Sequence, residues 1–93
     1  MQATEVSAAL RALEPFKSGP LEGVRVAPSL YVVKSYALPI AAAGQDRYIV
    51  ASEAPTPTTG RHAGQVRAAW QARGYDVRSV TSETVISAAQ RTN

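Results

Sequence analysis

The chain has 93 residues, no cysteine and a formal net charge of +3 at pH 7. That length suits one domain rather than two, and the lack of cysteine excludes disulfides, thiolate catalysis and thiolate metal ligation together. The longest apolar run, Ala37 to Ala43, falls far short of the roughly 20 residues that span a bilayer, and Met1-Gln2-Ala3-Thr4-Glu5 has neither the basic segment nor the apolar core of a signal peptide. A cytoplasmic protein with no membrane partner is expected.

In chain order, Thr4 offers the hydroxyl of an N-cap and Glu5 suits the positive end of a helix dipole. Val6, Ala9, Leu10 and Leu13 follow on one helical face. Pro15 ends this helix because it has no N–H to donate, and Lys17-Ser18-Gly19-Pro20 reads as a turn or loop. Residues 23 to 26 predict a short strand with Val24 and Val26 on one face. Leu30 to Ala43 is apolar and rich in β-formers and reads as a single strand, with Leu30, Val32, Tyr36, Leu38 and Ile40 of one parity. Pro39 puts that strand at a sheet edge or marks a bulge. Gly44-Gln45-Asp46-Arg47 then turns the chain back into a strand over Tyr48 to Ser52, which makes a β-hairpin.

Glu53 to Thr59 is a Pro/Thr loop, and residues 60 to 73 predict a helix capped by Thr59 and ended by Gly74, where a left-handed residue is wanted. Tyr75 to Val80 predicts a short strand. Thr81 or Ser82 caps a last helix, with Glu83 in its first turn and Val85, Ile86 and Ala89 facing inward. The end of the chain, from 89 or 90 to 93, is expected to fray. The order α-β-β-β-α-β-α implies an α+β fold over residues 1–93: a small, mostly antiparallel sheet of three to four strands, with two or three helices packed on one face. Trp70, Val66, Leu10, Leu13, Val32, Ile40 and Ile49 are expected to share one core. So thin a core favours pairing with a second copy.

Little in the sequence carries chemistry. His62 is the single histidine, and no carboxylate lies within eight residues of it, so neither acid–base partners nor metal ligands stand beside it. A structural or contact role is expected for it, with hydrogen bonds to Thr58 and Thr59. The seven acids are scattered with no pair at i, i+3 or i+4, and no phosphate loop or nucleophile elbow is present. No catalytic residue, metal site or cofactor is expected, and the chain reads as a non-enzyme.

The helix over residues 60 to 73 is the most informative segment. At about 100° per residue, Ala63, Val66 and Trp70 share the face toward the sheet. The opposite face carries Arg61, Gly64, Gln65, Ala68 and Ala72. Gly64, Ala68 and Ala72 recur every four residues and form a ridge almost without side chain, where exposed helix faces usually carry long charged residues. Three readings follow: the C-terminal helix of the same chain covers the ridge, alanine there simply serves helix propensity, or a partner covers it, with Arg61, Gly64, Gln65, Ala68 and Ala72 as its contacts. Arg61 and Arg67 also suggest a phosphate-contacting edge.

Two blocks carry a resemblance. Ser35-Tyr36-Ala37-Leu38-Pro39-Ile40-Ala41, followed by Thr58-Thr59-Gly60-Arg61-His62 and Val66-Arg67, resembles a group of small uncharacterised actinobacteriophage proteins. Those proteins have a Ser-Tyr-x-x-x-Ile-Ala strand and a Thr-Thr-x-Arg-His helix start. The likeness covers residues 33 to 67, although Pro55-Thr56 stands here where the group has Tyr-Ser. It implies a phage accessory protein in the host cytoplasm and assigns no chemistry. The sequence is therefore read as a non-enzymatic interaction protein that forms a homo-oligomer and binds a host protein. The alternative is a nucleic-acid-binding module using arginine–phosphate contacts, supported by the net charge, by eight arginines among ten basic residues and by tyrosines able to stack bases; such binding would be weak.

Overall fold

The computed structural model describes residues 3–44, 47–52 and 56–89. The expected turn residues Gln45 and Asp46, the loop residues 53–55 and the expected fraying at 90–93 lie outside the described residues. Three helices and six strands follow in the order α-β-β-β-β-β-α-β-α: α1 (Ala3–Ala12), β1 (Phe16–Ser18), β2 (Leu21–Ala27), β3 (Leu30–Ser35), β4 (Leu38–Ala43), β5 (Tyr48–Ala51), α2 (Pro57–Arg73), β6 (Val77–Val80) and α3 (Ser82–Ala89). The α+β class stands. The three to four strands expected become six, in one sheet of order β1-β2-β3-β4-β5-β6. Its first four pairings are antiparallel, and β6 joins β5 in parallel because α2 carries the chain back to the starting end of the sheet.

The largest correction concerns Leu30 to Ala43. It is not one strand but two, joined through Tyr36 and Ala37, which have φ of 53° and 66°. Positive φ at both central residues makes a type I′ turn, whose twist matches that of the flanking strands. That turn normally selects Asn and Gly, so Tyr-Ala gives no sequence signal for it. Each residue is held where L-side chains are penalised by about 1–2 kcal/mol. Ala37→Gly is therefore expected to raise stability by about 0.5–1 kcal/mol, the relief of strain less the entropy glycine gains when unfolded. A higher urea midpoint checks it, and an unchanged or lower one sinks the strain argument.

Pro39 marks a bulge, one of the two alternatives expected. Lys34 pairs with Pro39 and Val33 with Ala41, leaving Ile40 as the extra residue. β4 is an interior strand all the same. Its pairing with β5 begins at Ala41, so the N–H that Pro39 lacks is not needed there. β1 occupies part of the segment expected to be turn; Gly19 (φ 60°) and Pro20 alone connect it to β2.

The helices lie on both faces of the sheet, not on one. α1 and α2 bury Val6, Leu10, Val66 and Trp70 against Tyr31, Val33, Ile40, Ala41 and Val50. α3 packs Val85 over Leu30, Val32, Ala42 and Ile49 on the other side. The single core expected is thus divided: Trp70, Val66, Leu10 and Ile40 lie on the first face with Leu13 partly buried beside them, while Val32 and Ile49 lie on the second. A central strand covered on both faces reads as an unbroken apolar run, and Leu30-Tyr31-Val32-Val33 is one.

Helix ends follow local chemistry. α1 closes with Leu13 N–H to Leu10 O (3.2 Å) and Glu14 N–H to Ala9 O (2.9 Å), a Schellman pair with Leu13 itself left-handed at φ 56°. α2 closes the same way on Gly74, φ 97°, as expected. Thr81 caps α3, accepting from Thr84 N–H at 3.2 Å. α1 begins at Ala3, and the side chain of Thr4, the expected cap, lies outside the described residues.

Candidate functional site

α2 begins three residues earlier than expected, and its cap is Thr56 rather than Thr59. Pro57 supplies a preset φ at the first helical position, and Thr56 Oγ1 accepts from Thr59 N–H at 3.1 Å. This shift carries Thr59 into the first turn, where its side chain points inward and is buried. Thr58 stays exposed.

There Thr59 joins a chain of side chains drawn from two distant segments. Thr56 O–H donates to Thr59 Oγ1 (3.1 Å), Thr59 Oγ1 lies 3.3 Å from Ser35 Oγ, and Ser35 Oγ lies 2.7 Å from His62 Nδ1. Ser35 ends β3, immediately before the strained turn. The ring of Tyr36, 61% exposed, sits beside the imidazole with centroids 6.5 Å apart. The expected Thr59–His62 contact therefore runs through Ser35, which sequence reasoning did not single out as a functional residue. Burial and the neighbouring Arg61 guanidinium hold the His62 pKa below its usual value. A serine nucleophile needs an open approach to its Oγ, and Ser35 is fully buried.

The ridge of α2 is open. Ala68 and Ala72 are exposed, Gly64 and Gln65 half-buried, and Arg61 exposed. A methyl group built on Gly64 would meet nothing within 4 Å. α3, the same-chain element expected as a possible cover, lies across the opposite face of the sheet, so that reading is overturned.

The arginines and tyrosines behave differently from the ridge. Arg67 reaches β6, donating from Nη2 to Ser79 Oγ at 3.0 Å. Tyr31 is buried beneath the helices, and burial pushes its phenol pKa up. Tyr48 and Tyr75 stack on each other at 4.1 Å, with the Arg73 guanidinium 5.7 Å from the Tyr75 ring centre. These three rings are engaged within the protein rather than laid out as a stacking platform. A hollow of about 430 Å³ beside α3 is lined in part by Arg47, Arg78 and Asp76, and a neighbouring one of about 280 Å³ by Arg47 and Glu83. Two cations and two carboxylates leave that groove without a clear preference for anions.

Among the described residues, no group of three or more His, Cys, Asp or Glu is placed to hold a metal ion, and no helix is long and apolar enough to cross a membrane. Comparison of the chain with protein-family models, with curated proteins and with solved structures finds no match.

Proposed function

We propose that this chain is a small non-enzymatic interaction protein that self-associates through the outer face of α2 and captures a further protein in the cytoplasm. The observation that carries the reading is the Gly64-Ala68-Ala72 ridge on the longest helix, where among the described residues Ala68 and Ala72 are exposed and a methyl group on Gly64 would meet nothing within 4 Å. Small residues at four-residue spacing let a second backbone approach closely, and Arg61 and Gln65 supply a polar rim. Two-fold pairing is the commonest assembly of identical chains. A phage accessory role with a host protein as partner rests on the resemblance of residues 33 to 67 alone.

Ala68→Arg puts a long cation in the middle of that face while retaining a good helix former. Wild type is expected to sediment as a dimer and the variant as a monomer of unchanged helix content. If both sediment as monomers at matched concentration, self-association through the ridge is wrong. The nucleic-acid reading keeps Arg61 and the net charge of +3 in its favour and implies weak, steeply salt-dependent binding. Nanomolar affinity for one DNA sequence near physiological salt would promote it over the interface.

A further inference from the structure

Among the described residues, Ser35 and Thr59 are the buried polar side chains, and one chain of hydrogen bonds satisfies both. Thr56 O–H donates to Thr59. The Thr59 hydroxyl is then left to donate to Ser35, and Ser35 O–H to His62 Nδ1. Donors run in one direction and end on a ring nitrogen that must accept. That assigns a neutral His62 with its proton on Nε2. The same chain spans three structural features: the cap of α2, its first turn, and the end of β3 just before the left-handed pair Tyr36–Ala37. On the far side, Tyr36 N–H donates to Pro20 O at 2.9 Å, so the strained turn is held from both sides.

We propose that His62 is a proton-operated latch between the first turn of α2 and the β3–β4 turn: neutral, it closes the hydroxyl chain as terminal acceptor; protonated, it loosens it. A proton on Nδ1 forces Ser35 to accept from the ring, so the Ser35 O–H either loses its acceptor or turns to Thr59 and reverses the chain behind it. Thr56 Oγ1 would then take both the N–H and the O–H of Thr59 while its own hydroxyl turns to solvent. The charged ring would sit partly desolvated beside Arg61, the described charge that acts on it. Tyr36 is the titratable group facing it from the β3–β4 turn, and β3 contributes the uncharged Ser35. Partial burial and the Arg61 charge favour the neutral, latched form.

The sign follows directly. Unfolded His62 titrates near 6.5 and the folded group lower. The unfolded or unlatched state therefore takes the proton first. The latch contributes fully above about pH 6.5 and is lost as pH falls through the folded pKa. This device is independent of whether the outer face of α2 is an interface.

Nitrogen-15 NMR of the full chain tests it. At pH 8 the neutral ring is expected to carry its proton on Nε2. Between pH 8 and pH 5, exchange of the Thr59 and Gly60 amides, corrected for intrinsic rates, should rise, by up to roughly thirtyfold when the folded pKa lies below 5. His62→Asn places an uncharged amide where Nδ1 stood; its oxygen can take the Ser35 bond and does not titrate. That variant should keep native protection at pH 8 and lose the pH dependence. A neutral ring protonated on Nδ1, or the same exchange profile in His62→Asn as in wild type, overturns the latch.

Discussion

Trp70→Ala is expected to lower stability by about 3–5 kcal/mol, out of the roughly 5–15 kcal/mol typical of a whole domain. Trp70 is fully buried between α1, α2 and the sheet. Its indole Nε1–H donates to Leu10 O at 2.9 Å, which ties α2 to the last turn of α1. Its ring meets Tyr48 edge-on with centroids 5.7 Å apart. Truncation leaves a cavity that several elements would have to move together to fill. With a urea m-value of about 1–2 kcal/mol/M for a small protein, the midpoint should fall by about 1.5 M or more. Trp70→Phe retains an aromatic ring but loses the bond to the Leu10 carbonyl, which keeps only the Leu13 N–H, and an intermediate loss is expected. A midpoint for Trp70→Ala indistinguishable from wild type would show that the indole is not the keystone of this face.

Gly23→Ala is the second large effect, although it adds one methyl group. Gly23 sits in β2 between Phe16 on β1 and Val33 on β3. A Cβ there would collide with the Tyr31 hydroxyl and come within 2.6 Å of the Phe16 ring. Tyr31 cannot retreat freely, because it is buried and its O–H donates to Glu14 O at 2.7 Å. Either Phe16 swings out and loses its burial, or the phenol gives up its bond. Overpacking of this kind, or an orphaned buried hydroxyl, costs about 1–3 kcal/mol. Tyr31→Phe removes the oxygen that the new methyl group strikes, so the double variant should lose less than the sum of the singles. If Gly23→Ala instead raises the melting temperature, as it would at an open strand position, the site is not close-packed.

Both effects show where the sequence suffices and where it does not. Helix α2 was legible because its signals are short-range. Ala63, Val66 and Trp70 fall on one face at helical spacing, and Gly74 provides the left-handed stop. The Gly64-Ala68-Ala72 ridge followed from the same spacing, though whether it is covered did not, and Thr81 or Ser82 announced α3, the structure choosing Thr81 by the hydroxyl it offers to the amide three residues on. The β4–β5 hairpin was legible from alternation around Gly44 and Arg47. By contrast, β1 and the break at Tyr36–Ala37 were not. Three residues are too few to show a period, and a type I′ turn without Asn or Gly is set by the pairing of the strands it joins rather than by its own residues.

The side of the sheet on which each helix packs was likewise beyond local reading. β3 is apolar at every position from Leu30 to Val33, so it supports a helix on either face, and only the path of the chain through α2 and β6 sends α3 to the second one. The two-residue turn flips the side-chain parity and the bulge at Ile40 flips it back, so Ala42 faces with Val32 as one continuous strand would have it while Ile40 lies on the other face. Ser35 acquires its part from Thr59 and His62, 24 and 27 residues away. Nothing within hydrogen-bonding reach along the chain foretells that meeting. Periods, caps and stops are decided by interactions over a few residues, which the sequence carries explicitly; register, facing and buried polar partners depend on contacts whose positions exist only once the sheet has closed.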